Sequence, residues 1–189
     1  TQKPFVGCRG MVELASPNTN KPLQQRLLRY DARDESVSRI LKAAGADVYK
    51  VDLINNRGVH ICKSMLAYKL FHEEKGDTPE SLGMKGDHFV GQCYVEFDKW
   101  AKEHPEAQEQ AEEMLVKWEA GDKEIRDLWE MMNKWTLDGV KATYERTGVS
   151  FDKYYLESDT YLKGKDEILK GLEKGVFFKA EDGSFRIDV

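Results

Sequence analysis

An acid, a hydroxyl, an amide and an ammonium group stand close together near the start of this chain: Glu13, Ser16, Asn18 and Lys21, within the run Glu-Leu-Ala-Ser-Pro-Asn-Thr-Asn-Lys-Pro-Leu that ends at Leu23. The part from Ser16 to Leu23 is polar and bracketed by Pro17 and Pro22, and it reads as a ligand-binding loop. Met11–Leu14 before it has the composition of a strand, the two prolines stiffen the chain after that strand, and helical spacing begins at about Leu23. In open α/β sheets, ligands gather at loops on the carboxyl ends of strands, and the unpaired amides of the next helix start favour anions. The same residues also suit an ordinary surface connection, with Ser16 and Asn18 as turn formers, Lys21 as a solvated charge and the Glu13 side of the strand turned to water.

The elements that must position this loop emerge from periodicity. Leu23, Leu27, Leu28, Val37, Ile40, Leu41 and Ala44 recur at helical steps, and Gly45 is a natural stop. The intervening Arg29–Glu35 is too charged to face a core continuously, so a break or outward bulge is expected there, with Asp34 or Ser36 capping a fresh start. Val48–Ile54 alternates and is β-rich, which makes a strand–helix–strand unit whose right-handed crossover sets the two strands parallel. Asn55–Gly58 is a turn, and Val59–Phe71 has the pattern of a helix.

Further helices are expected over Phe89–Lys102, Glu106–Ala120 and Lys123–Arg146, and the Met and Trp stripe of the last is read as core. Phe151–Tyr155 reads as extended and Lys165–Lys174 as a short helix. Val176–Lys179 and Ser184–Asp188 read as a hairpin across Asp182-Gly183. Residues 1–10, with Pro4, Gly7 and Gly10, read as a loosely held lead-in.

Composition narrows the function classes. The 189 residues suffice for one sizeable core, and 33% of them are charged with a net charge of -5, which argues against general coating of nucleic acid. Cys8, Cys62 and Cys93 are odd in number and widely spaced, a pattern of neither a disulfide frame nor a zinc site, so no metal is expected. His72, His88 and His104 are expected to be exposed. No apolar run approaches membrane-spanning length and no signal-peptide shape is present, so a cytoplasmic home is expected. The first residue is not Met, which is expected of a chain that has been processed, trimmed or excised from something longer.

Three stretches carry a resemblance. Glu13–Leu23 resembles the first strand and loop of class I aminoacyl-tRNA synthetases, specifically the arginyl-tRNA synthetase family. Val51–Leu66, with its Asp-Leu-Ile-Asn-Asn-Arg-Gly-Val-His run, is similar to the second strand and following helix of a bacterial branch of that family, which typically has aspartate where Asn56 stands. Gly76–Ser81 and Met84–His88 resemble the insertion that interrupts the catalytic fold of the same branch. One departure is large: where the family has a His-x-Gly-His signature, this chain has Gln24-Gln25-Arg26-Leu27.

The resemblance implies an α/β class, a partial Rossmann-like (HUP-type) nucleotide-binding fold with a large, mainly helical insertion. It implies residues 1–75 as the first half of the catalytic fold and 76–189 as the insertion, ending in a β-hairpin. It implies ATP, with Mg2+, as the energy source, L-arginine and tRNA(Arg) as partners, and no membrane. By the same resemblance Glu13, Ser16 and Asn18 hold the arginine substrate and Lys21 faces the ATP phosphates, a carboxylate being suited to a guanidinium. The paired histidines that stabilise the transition state are missing, each worth on the order of 100-fold if they act independently, and no Lys-Met-Ser-Lys loop is present. The expectation is therefore a synthetase fragment that is inactive alone and self-associates through its exposed sheet edge. The alternative is a non-catalytic binding module, either a degenerate paralogue or an engineered scaffold, with Gln24–Glu35 rewritten.

Overall fold

The computed structural model describes residues 3–180 and 183–187. Three strands, β1 (Arg9–Glu13), β2 (Asp47–Ile54) and β3 (Lys153–Leu156), form a parallel sheet in the order β1-β2-β3. The helix α1 (Gln25–Ala43) joins β1 to β2. Between β2 and β3 run α2 (Val59–Phe71), α3 (Gly86–Trp100), α4 (Ala107–Glu119) and α5 (Lys123–Thr147), followed after β3 by α6 (Glu157–Glu173). The short strands β4 (Phe178–Lys179) and β5 (Phe185–Arg186) pair antiparallel as the expected hairpin, while Asp182 and Asp188 lie outside the described residues. The fold is thus α/β, with the parallel sheet and extensive helical portion expected of a partial Rossmann-like fold carrying an insertion.

The sheet draws on both ends of the chain. Val51, Asp52, Leu53 and Ile54 stand in register with Lys153, Tyr154, Tyr155 and Leu156, so the four helices between them are one long crossover. Asp152 fixes that register, accepting from the Lys50 amide at 2.7 Å through its side chain and donating its own amide to the Lys50 carbonyl at 2.8 Å. The helical portion has its own core, in which Phe89, Phe97, Trp118 and Met132 are almost wholly buried, flanked by Trp129 and Trp135 of α5. The start of α5 is capped by Asp122, which accepts from the Ile125 amide at 3.1 Å, and its end turns at Gly148 in the left-handed region.

Two expectations for the helices need correction. The first helix does not break at Arg29–Glu35 but runs on through Ala43, and it is turned inside out. Its buried residues are Asp31, Glu35 and Ser38, while Val37 and Ile40 face outward, Ile40 at 66% exposure. The reason lies on β2, where the inward face of the strand carries Lys50 and Asp52. The Lys50 ammonium donates to Glu35 at 2.7 Å and to the Ser150 hydroxyl at 2.9 Å, and Arg39 holds the second Glu35 oxygen at 2.8 Å. Burial alone would raise the Glu35 pKa, but Lys50 and Arg39 outweigh it and lower the value. Ion pairing across the layer therefore decides which way α1 faces.

The last helix begins at Glu157, well before Lys165. Its start is capped from afar: the Asn56 side chain accepts from the Ser158 amide at 2.9 Å and donates to the Ser158 hydroxyl at 3.0 Å. His72 is also buried rather than exposed, wedged against Tyr68 and Phe89, and His104 is partly buried on Trp100, whereas His88 is exposed as expected.

The Lys50–Glu35 contact yields a stability test. Lys50→Ala leaves Glu35 buried with only the outer Arg39, and it is expected to cost about 3 kcal/mol. Replacing both partners together, Lys50→Met with Glu35→Leu, is expected to recover most of the loss. Urea unfolding followed by tryptophan fluorescence measures both, and an unchanged midpoint for Lys50→Ala would show that the pair does not hold α1.

Candidate functional site

The loop after β1 leaves the sheet through two residues that rarely adopt its backbone shape. Ala15 and Ser16 both have positive φ, 58° and 50°, although neither is glycine. Such geometry costs on the order of 1–3 kcal/mol per residue and persists only where surroundings enforce it. Here the Ser16 amide donates to the Leu14 carbonyl at 2.7 Å and to Asp52 at 3.0 Å, and the Ser16 hydroxyl donates to Glu13 at 2.7 Å. The structure therefore brings Glu13 and Ser16 into direct contact.

Beyond Ser16 the loop is laced to the end of β2 and to the helical portion. The Asn55 amide donates to the Pro17 carbonyl and the Thr19 amide to the Asn55 carbonyl, each at 3.0 Å, with Asn18 opposite Asn55 in a parallel bridge. Thr136 of α5 donates to the Thr19 carbonyl at 3.1 Å, and Asp87 of α3 accepts from the Leu23 amide at 3.3 Å. Pro22 sits so close to α3 that a Cβ on Gly91 would lie 2.4 Å from its ring, so only glycine fits there.

Two clefts flank the loop. The larger, of about 670 Å³, opens on the uncovered side of the sheet at the carboxyl ends of β2 and β3, and Glu13, Glu157, Tyr155, Leu53 and Met11 are among its lining residues. Two carboxylates set among apolar walls suit a cationic head on an aliphatic stem. The smaller, of about 150 Å³, is lined by Ser16, Asn18, Lys21, Gln24 and Arg26 among others at the start of α1. Ser16 joins the two, being bonded to Glu13 in the first and lining the second. Lys21 stands 5.7 Å from the centre of the Tyr94 ring, whose hydroxyl is 3.0 Å from His60 Nδ1.

Behind the loop lies a buried acidic pair that sequence reasoning missed. Asp52 is fully buried and accepts from the Ser16 amide and from the Tyr144 hydroxyl, each at 3.0 Å. Burial pushes its pKa up to about 7, partly countered by those two donors and reinforced by Asp31 and Glu13. Asp31 is 1% exposed, and among the described residues neither of its carboxylate oxygens has a hydrogen-bond partner. Burial, with Asp34 nearby, raises it to about 6. Burial and the neighbouring carboxylates likewise push the Tyr144 hydroxyl far above its usual value. A signal was present in β2, where Lys50 and Asp52 share the two-residue period of Val48 and Ile54 and so must face the same core. Tyr155, Glu157 and Thr160 were missed for another reason, since nothing local ties them to Glu13.

A strained loop closing a parallel strand–helix–strand unit, with ligand-sized space at the carboxyl ends of the strands, defines an α/β protein of the Rossmann-like type. A family model described as class I tRNA synthetases (R), catalytic domain, matches residues 8–189, and the chain belongs to that family. It is 60% identical over 185 residues to the arginine–tRNA ligase of Treponema denticola and 53% identical over 184 residues to that of Treponema pallidum. Each alignment takes in 97% of this chain and 31% of the relative, so the chain spans about a third of the length of those curated relatives. Among solved structures, Thermus thermophilus arginyl-tRNA synthetase superposes with a TM-score of 0.71 at 28% identity, over 96% of this chain and 29% of that one.

The acidic pair makes stability depend on pH. Asp31 and Asp52 both titrate above their ordinary value of 3.8, so the folded chain holds more protons than the unfolded one between about pH 4 and pH 7. Stability is expected to fall as pH rises across that window, by on the order of a few kcal/mol in total, and to level off above it. Glu35, whose pKa is lowered, contributes stability that is complete above its ordinary 4.5 and does not oppose the trend. Urea midpoints near pH 5 and pH 8 test this, and Asp52→Asn should flatten the slope. A higher midpoint at the alkaline end would contradict it.

Proposed function

We propose that this chain carries the arginine-recognising half of an arginyl-tRNA synthetase activation site, with Glu13, Ser16 and Asn18 as its ligand residues. The observation that supports this best is the Ser16–Glu13 hydrogen bond at the mouth of the larger cleft. It fixes the carboxylate's direction and leaves the second oxygen of Glu13 available to a guanidinium, while Met11, Leu53 and Tyr155 offer an apolar wall for the aliphatic stem. Asn18 is exposed on the loop and lines the smaller cleft with Lys21; in this reading Asn18 meets the amino-acid end and Lys21 the phosphates.

The parent reaction joins the arginine carboxylate to the α-phosphate of ATP, releases pyrophosphate and passes the aminoacyl group to tRNA(Arg). The residues at the start of α1 do not fit the ATP part of that site. The cleft there, at about 150 Å³, is smaller than the roughly 300 Å³ at which pockets for small organic ligands begin. Gln24, Arg26 and Leu27 also supply no histidine to the developing charge. In this reading the chain binds arginine and does not form the adenylate by itself, and it works in the cytoplasm. Among the described residues no helix is long and apolar enough to cross a membrane.

Titration calorimetry with L-arginine tests the reading. Binding should be detectable and should weaken by at least about tenfold in Glu13→Ala, while arginine-dependent exchange of labelled pyrophosphate into ATP should stay at the blank. Exchange clearly above blank would overturn the inactivity. The altered start of α1 and its outward Val37 and Ile40 favour a second reading, a non-catalytic interaction module on a synthetase scaffold. No heat with either arginine or ATP would select it.

The uncovered side of the sheet, where Met11 is 66% exposed beside Tyr49, Leu53 and Tyr155, supports self-association of the chain. Sedimentation velocity should show mass above the monomer that falls when Met11 and Leu53 are both changed to Ser. A monomer at all concentrations would count against it.

A further inference from the structure

We propose that His72, Cys93 and Glu96 form a binding site for a divalent cation of the zinc class inside the helical portion, with Asp77 as the residue that positions the histidine. This cluster shares no residue with the arginine site. His72 is the residue that ends α2, and Cys93 and Glu96 are three apart on α3, which puts them on one face of that helix. One ligand atom from each of the three lies within 4.8 Å of the others. A nitrogen, a sulfur and a carboxylate oxygen are the donor types that zinc takes in protein sites.

The histidine is already oriented for the task. Its Nδ1 is 2.8 Å from Asp77 Oδ2, and its Nε2 is 2.7 Å from Glu96 Oε2. A carboxylate on Nδ1 keeps the proton there and turns the Nε2 lone pair toward the ion, the arrangement by which second-sphere acids tune metal-bound histidines. With no ion, Nε2 and the Glu96 carboxylate face each other directly, and the cation would enter between them. Tetrahedral zinc sets nitrogen and oxygen ligands about 3.3 Å apart, so the Glu96 carboxylate must withdraw by about 0.6 Å. It lies on the partly exposed side of the cluster and can do so, steadied by Gln92, which donates to its other oxygen at 2.8 Å.

The rest of the surroundings are largely aromatic and buried. The Tyr68 ring stacks near the imidazole at 6.3 Å, the Phe89 ring meets it edge-on at 5.1 Å, and Cys93 is fully buried. Burial keeps Cys93 a thiol, its pKa pushed up to about 12, so metal binding must form the sulfur–metal bond while the thiol proton leaves to solvent. A water on the Glu96 side completes four-coordination. The ion would staple the end of α2 to α3, the helix that carries Asp87 and Gly91 against the ligand loop. The spacing of these residues matches no short metal motif, which is why the sequence alone excluded a metal.

Cobalt titration of the purified, reduced and chelator-treated chain decides the matter, because a cobalt–thiolate bond absorbs where the free protein does not. One equivalent of Co2+ is expected to give the thiolate charge-transfer band with the visible bands of tetrahedral cobalt, and Zn2+ to displace it. Cys93→Ser should abolish the charge-transfer band. His72→Gln and Asp77→Asn should each weaken cobalt binding about tenfold or more, and Cys8→Ser should change nothing. If Cys93→Ser does not fold, Glu96→Gln on the exposed side, with its circular dichroism checked, serves instead and should weaken binding by a similar factor. A wild-type chain that gives no such spectrum below millimolar Co2+, or one whose spectrum vanishes in Cys8→Ser, overturns the proposal.

Discussion

The carboxylate of Asp52 is the joint on which this structure turns. It is fully buried, and its two hydrogen bonds run to the Ser16 amide in the loop after β1 and to the Tyr144 hydroxyl in α5. A carboxylate taken out of water is expensive, and its pKa near 7 records that cost. What the arrangement stabilises is a loop shape that would not persist unaided. Ala15 and Ser16 hold positive φ because the Ser16 amide has a fixed acceptor to reach. The loop, the central strand and the longest helix are thus tied at one point, and the helical portion is part of the site's support.

The same polar layer explains the surface. Since α1 meets the sheet through Glu35–Lys50 and the Asp31 side, two of its apolar residues, Val37 and Ile40, are left outside while Leu27, Leu28 and Leu41 are half-buried. The opposite side of the sheet is uncovered as well, with Met11, Tyr49, Leu53 and Tyr155 in the open. In most α/β proteins both sides of a parallel sheet are covered, because the strands are apolar on both. Here one side carries buried charged groups and the other stays exposed. The apolar burial that stabilises the chain is concentrated in α2–α5, around Phe89, Phe97, Trp118 and Met132.

What could be read from the sequence was whatever short-range pattern determines. The alternation of Val48–Ile54 located β2 to within a residue, and the helical spacing of Val59–Phe71 gave α2 its observed limits. The stripe through Leu128 and Met132 went to the core for the same reason. The resemblance carried by Glu13–Leu23 and Val51–Leu66 identified the family that the whole-chain comparison then showed. What could not be read depended on partners far along the chain. Ser158 finds its cap in Asn56, Lys50 meets Ser150, and Asp52 meets Tyr144, so the early start of α6 and the partners of the buried charges have no local trace, although the period of β2 already puts Lys50 and Asp52 on the core side. The burial of His72 belongs with these, since Asp77 and Glu96 reach it only once α2 and α3 have packed.

Family membership and an intact site are separable here, and the loop shows how. Residues 24–27 at the start of α1 carry none of the family's signature, yet the loop before them is braced by contacts that do not involve them. Thr136 holds the Thr19 carbonyl, Asp87 holds the Leu23 amide, and Pro22 lies against Gly91 where no side chain could fit. Each brace comes from α3 or α5, and Asp87 is itself steadied by Lys85 and packed against Gly139 of α5. A change confined to the first turns of α1 therefore alters the side chains at that helix start while leaving the Glu13–Ser16 contact in place. The fold holds the Glu13–Ser16 end of the loop through tertiary contacts from the helical portion, and in the proposed reading the phosphate end depends on the residue types at one helix start.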